Sequence, residues 1–175
     1  MAARKGTKAF TTTESKESEK RSIRIFNEIL SEPEYSRFST EMSYSMNEIY
    51  GTDLSVTKVH GADCITEPDL GLLMLDGIPI GVGDNKYQTK FANACERINL
   101  YTVDAQAMGF NQKNVLIVFD GPAFNKNKEG KYMSAPGKQV VRSKRFNTCL
   151  VQPTEKELYI GIRGYLDRIL REEST

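Results

Sequence analysis

The chain has one histidine, His60, and no tryptophan. A lone imidazole excludes most zinc sites and argues against Ser-His-Asp or Cys-His catalysis, in which a histidine base is held beside the nucleophile. His60 is expected to be structural or exposed, which leaves carboxylates, lysine or a hard cation for any chemistry. Cysteine is also scarce: Cys64, Cys95 and Cys149 are odd in number, widely spaced and set among apolar residues. They read as reduced core residues, not as a disulfide framework. No apolar run approaches the roughly 20 residues needed to span a bilayer. The start, MAARKGTKAFTTTESKESEKR, has no apolar stretch of signal-peptide length, so the expected location is cytoplasmic and no membrane partner is implied. Glycine-rich phosphate loops are missing too, because Gly77, Gly81 and Gly83 do not follow G-x-G-x-x-G and no G-K-[ST] occurs.

What is present suits one domain. A length of 175 residues allows a sizeable core, and 39% apolar with 27% charged residues is ordinary for a globular protein. Residues 1–17 are rich in Ser, Thr, Lys and Glu and read as a flexible arm, with a single domain over 18–175. The net charge of +1 carries no global nucleic-acid signature, but its distribution is uneven. Lys126, Lys128, Lys131, Lys138, Arg142, Lys144 and Arg145 face Glu129 alone in a segment that reads either as an electrostatic footprint for phosphate or as a solvated basic loop.

Apolar spacing predicts helices over 18–31, 34–50, 89–109 and 155–170, with Gly51 and Gly109 as stops. Alternation predicts a strand over 54–59, and continuous apolar runs predict strands over 70–75, 78–82, 115–119 and 148–151. Within the basic segment a further strand is suggested around 139–142. Asp76-Gly77 is a strong two-residue hairpin signal, and Pro79 predicts irregularity at the start of the second strand. The order implies an α/β fold, a mixed β-sheet of about five strands flanked by α-helices.

In PDLGLLMLDGIPIGVGDNKYQ the hairpin returns the chain on itself. Asp69 therefore falls near Asp84 across the sheet, and alternation sends Asp84 and Lys86 to one face. Two adjacent carboxylates repel unless one takes a proton or a cation neutralises them. Oxygen ligands without histidine suit Mg2+, which keeps several waters and bridges to substrate phosphate. Lys86 beside such a pair would position water or offset charge on phosphorus, a combination suited to phosphodiester hydrolysis. An exposed Asp-Lys pair flanking a buried hairpin is the plainer reading. Glu41, Glu48 and Glu67 are further candidate ligands.

The following segment, ANACERINLY, supplies context. With PD, DxK and Ala92-Asn93-Ala94-Cys95-Glu96-Arg97, the stretch 67–124 resembles the PD-(D/E)XK nuclease superfamily, and within it the EcoRI/MunI-like type II restriction endonucleases. The resemblance implies a restriction-endonuclease-like core, with Asp69, Asp84 and Lys86 catalytic. It implies Mg2+, with Mn2+ as a substitute, held by Asp69, Asp84 and the Asn85 backbone carbonyl. Asn93, Ala94, Glu96 and Arg97 would lie at the DNA interface, joined by Lys90, Lys138, Arg142, Lys144 and Arg145. Asn suits adenine N6 and N7, and Arg suits guanine or phosphate. The resemblance further implies cutting of double-stranded DNA at a short palindrome by a homodimer, and a companion DNA methyltransferase for the same site. A repair or recombination nuclease of the same superfamily, and a non-catalytic DNA-binding protein with this fold, remain as alternatives.

Overall fold

Asp76 (φ 50°) and Gly77 (φ 81°) both adopt left-handed backbone, the pair of conformations that a two-residue hairpin turn demands. They join strands 71–75 and 78–87, the start of a sheet that organises the whole chain. The computed structural model describes residues 13–45, 65–89 and 94–175. Helix α1 is Thr13–Leu30. Strands β1 (Phe38–Glu41), β2 (Tyr44–Ser45), β3 (Ile65–Thr66), β4 (Gly71–Leu75) and β5 (Ile78–Tyr87) follow. Helix α2 (Ala94–Met108), strand β6 (Val115–Asp120), helix α3 (Ala135–Phe146), strand β7 (Thr148–Val151) and helix α4 (Glu155–Glu173) complete the order.

The main sheet runs β1-β4-β5-β6-β7. Its β1, β4 and β5 pairings are antiparallel, and β5, β6 and β7 are parallel. A parallel strand with neighbours on both sides has no wet face. VLIVF of β6 is accordingly buried throughout. On one face Leu73, Leu116 and Val118 pack with Ile25, Phe26 and Ile29 of α1 and Leu158, Ile162 and Leu166 of α4. On the other, Leu72, Val82, Ile117 and Phe119 pack with Tyr101 and Ala105 of α2 and Val140 of α3. The result is an α/β architecture with a mixed five-stranded sheet and four α-helices among the described residues. No described helix is long and apolar enough to cross a membrane.

Several boundaries follow from identifiable signals. Gly109 (φ 76°) ends α2 with paired bonds from Gly109 N–H to the Gln106 carbonyl and from Phe110 N–H to the Ala105 carbonyl. Thr154 and Glu157 close a reciprocal capping box at the start of α4. The β4–β5 register shifts where Met74 meets Pro79, as the missing proline donor predicts.

Three expectations are corrected. The helix expected over 34–50 is instead a short 3-10 turn, Pro33–Tyr35, followed by β1 and β2, with 46–50 outside the described residues. Phe38 does turn inward, but Met42, which a helix would place on the same face four residues on, is 54% exposed. Pairing with the open edge of β4 outweighs the helical spacing, because those backbone groups need partners. The strand suggested at 139–142 lies inside α3, whose Ser134 side chain accepts from Gly137 N–H with Pro136 in the first turn. That Ser-x-Pro start is a helix signal in its own right. Finally, α1 begins at Thr13, so 13–17 are helical rather than part of an arm. The strand expected over 54–59, together with His60, Cys64 and Glu48, lies outside the described residues.

Candidate active site

Strand β5 continues to Tyr87 because β6 pairs with it in parallel from Val82↔Val115 to Tyr87↔Asp120. Asp84, Asn85 and Lys86 are therefore interior residues of the central strand, 1%, 5% and 9% exposed. Asp84 lies beside Ile117 and Lys86 beside Phe119, on the face covered by α2 and α3. Asn85 lies beside Val118 and looks toward α1.

Asp69 enters from the turn before β4, which closes where Gly71 N–H donates to the Pro68 carbonyl at 3.1 Å. Gly71↔Gly83 is the last registered pair, so the turn lays Asp69 against Asp84 and Asn85. Asp69 N–H donates to Asp84 Oδ1 at 3.0 Å, and Asn85 N–H donates to Asp69 Oδ2 at 3.2 Å. Lys86 Nζ is 2.7 Å from Asp84 Oδ2. That contact is an ion pair without hydrogen-bond alignment, so Asp84 Oδ2 is a buried oxygen with no hydrogen-bond partner. Burial, and after it the Asp84 charge, push the Asp69 carboxyl up to about 7; Lys86 opposes the shift and Glu19 of α1 adds to it.

The structure thus brings Asp69, Asp84 and Lys86 together. Asp69 and Asp84 are the side chains able to hold a cation here. Among the described residues no group of three or more His, Cys, Asp or Glu gathers around one point. Glu41 and Glu67 are exposed and do not complete such a group. Two carboxylates with an orphaned oxygen fit a hydrated hard cation that keeps most of its waters, rather than one caged by protein ligands.

Behind the strand is a buried polar cluster that sequence reading missed. Ser22 Oγ donates to Asn85 Oδ1 at 3.0 Å, and Asn85 Nδ2 donates to Ser18 Oγ at 3.1 Å. Asp120 Oδ2 accepts from Ser18 Oγ at 2.8 Å and from Arg21 at 2.9 Å. The one available signal was that Ser18 and Ser22 share the α1 face of Ile25, Phe26 and Ile29, which two serines would leave poorly filled unless a polar partner lay opposite.

The expected DNA-contacting residues that are described fall on two helices. Lys90 and Asn93 lie outside the described residues, and Ala94, Glu96 and Arg97 fall in the first turn of α2. Lys138, Arg142, Lys144 and Arg145 are exposed on α3. They form a helix surface rather than a loop. Cys149 is a free, half-buried thiol packed against the core, and burial pushes its pKa up to about 12. Compared with family models, curated proteins and solved structures, the chain matches none.

Proposed function

We propose that this chain is a divalent-metal-dependent endonuclease that hydrolyses phosphodiester bonds in double-stranded DNA. The observation that carries the reading is the junction of Asp69, Asp84 and Lys86, with an orphaned carboxylate oxygen beside an ammonium. The mixed sheet flanked by helices on both faces agrees with the restriction-endonuclease-like core that the resemblance implies. We read the protein more narrowly as a type II restriction endonuclease acting as a homodimer on a palindrome, since symmetric cutting needs two sites related by a two-fold axis. Such an activity also implies a companion methyltransferase that protects host DNA.

Asp69 and Asp84 would hold the metal, and the Asn85 backbone carbonyl is the further ligand that the resemblance implies. When bound, Mg2+ supplies charge neutralisation at the phosphate and lowers the pKa of a bound water. Lys86 donates to the attacking water or to a non-bridging phosphate oxygen, offsetting charge as it develops. Asp84 holds Lys86 in place through their ion pair. The amides of Asp69 and Asn85 fix both carboxylates before substrate arrives. Lys138 and Lys144 would meet the DNA backbone.

The test is digestion of DNA of known sequence with Mg2+ or Mn2+, followed by mapping of the ends. One repeated end sequence is expected, and a loss of at least about a hundredfold in rate for Asp84→Ala and for Lys86→Ala. Unrepeated ends would instead indicate a nuclease that selects DNA shape. Duplex binding with no product under any divalent metal would make this a non-catalytic DNA-binding protein.

A further inference from the structure

Away from the carboxylates, a cleft of about 450 Å3 opens between the second half of α2, the turn before β6 and the end of α3. That volume lies within the range of small-ligand sites. Its lining is chemically unusual. Arg142 and Arg145 contribute two guanidiniums, and among the described residues no carboxylate lines the cleft. Neither arginine has an ion-pair partner among the described residues. Gln106, Gln139 and the buried Asn147 add carboxamides, each able to donate and accept. Phe146, 55% exposed, also borders the cleft. Beneath it, Ser143 is 3% exposed and its hydroxyl has no hydrogen-bond partner. An unmade buried hydrogen bond is unfavourable. A ligand oxygen reached by rotation about the Ser143 side chain would remove that penalty.

Each feature narrows the ligand. Guanidiniums with no acid beside them among the described residues favour an anion over a metal or an amine, and their planar forks match phosphate. The C-terminus of α3 opposes them with only about half a negative charge. Lys113 Nζ already covers the Lys144 carbonyl there at 3.1 Å. Carboxamides match the mixed donors and acceptors of a base edge, and an exposed ring matches a base face. We propose that this cleft binds one nucleoside monophosphate unit, with its phosphate on Arg142 and Arg145, its base edge on Gln106 and Gln139, and its base face on Phe146.

The site is distinct from the proposed catalytic one. Lys86 sits beside Phe119, whereas Gln112 and Asn147 of the cleft precede β6 and β7. From Val115 to Phe119 the strand rises about 13 Å. The cleft shares Arg142 and Arg145 with the expected DNA surface but adds a nucleotide pocket to it, and it stands whether or not DNA is cut.

The experiment is calorimetric titration of the full chain, with EDTA present, using deoxyadenosine monophosphate (dAMP) and inorganic phosphate, together with anisotropy of a labelled single-stranded oligonucleotide. Arg142→Ala/Arg145→Ala is expected to weaken binding of dAMP by at least about tenfold. Both side chains are exposed, and an unchanged thermal unfolding curve verifies the fold. Gln139→Ala is expected to weaken dAMP while leaving inorganic phosphate unaffected. Loss for both probes assigns the unit to a strand, and loss for dAMP alone to a free nucleotide; loss for the oligonucleotide alone would make the two arginines a DNA backbone surface and overturn the proposal. If neither probe loses affinity in the double variant, or if inorganic phosphate binds as tightly as dAMP, the proposal is overturned.

Discussion

Asp69 and Asp84 hold one another across the hairpin. Asp69 N–H donates to Asp84 Oδ1 at 3.0 Å, and the peptide next to Asp84, at Asn85, donates to Asp69 Oδ2 at 3.2 Å. Two carboxylates that repel are thus oriented by two backbone donors. Their placement is built into the sheet pairing.

The first prediction concerns pH. Asp69 has a carboxyl raised to about 7, first by burial and then by Asp84. The folded state keeps a proton that the unfolded chain releases near its ordinary value of about 4. Stability from this group is therefore fully present below about 4 and falls as pH rises toward 7. Urea unfolding from pH 4.5 to 7.5 is expected to show wild type losing stability relative to Asp69→Asn; parallel curves would count against it.

Metal binding should run the other way. A cation needs Asp69 ionised, so Mg2+ must displace its proton. Mg2+ is expected to raise the Tm of the wild type more at pH 8 than at pH 5, and to leave Asp84→Asn/Asp69→Asn unmoved. An equal rise in the double variant would place the metal elsewhere.

Asp84 is 1% exposed and Lys86 is its counter-charge at 2.7 Å. Lys86→Met strands a buried carboxylate, at a cost of about 3–5 kcal/mol. Adding Asp84→Asn removes the stranded charge and should recover part of that loss. The denaturant double-mutant cycle is expected to show coupling well above zero; simple additivity would mean that the two side chains do not share a desolvated site.

The cluster behind the strand ties α1 to the residues that flank Asp84 and Lys86. Asn85→Ala leaves the Ser18 and Ser22 hydroxyls, buried at 5% and 0% exposure, without their shared partner. A loss of about 2 kcal/mol is expected in urea unfolding. Hydrogen exchange should show the first turns of α1 opening more often than its Ile25–Ile29 portion, and uniform exchange along the helix would argue against a local clamp.

Two glycines separate backbone strain from crowding. Gly77 has φ 81° and open space around an added Cβ, whereas Gly121 has φ 98° and would bring that Cβ within 2.5 Å of the Gln88 carbonyl oxygen. Gly77→Ala is expected to cost about 1 kcal/mol. Gly121→Ala should cost at least about 3 kcal/mol, because the atom in its way is backbone. Similar losses in thermal unfolding would show that the β6 exit can shift.

Local signals determined a good deal of this. The Asp-Gly turn, the VLIVF strand, the Gly109 stop and the C-terminal amphipathic helix are each specified by residues adjacent in sequence, so they were legible directly. The meeting of Asp69 with Asp84 followed from the turn alone, because an antiparallel return fixes which residues lie opposite. The structure decided what depends on distant partners. Residues 38–41 became a strand because β4 had an open edge, and 135–146 became a helix although seven basic residues between 126 and 145 had suggested an exposed loop. Above all, Asp84, Asn85 and Lys86 read as the polar end of a strand, where apolar residues stop. In the fold they lie inside its central strand, because β6 continues the backbone ladder past them and backbone pairing is indifferent to side-chain polarity. That pairing buries the acid and the amine, and burial gives Asp69 its raised pKa and leaves Asp84 with an unsatisfied oxygen.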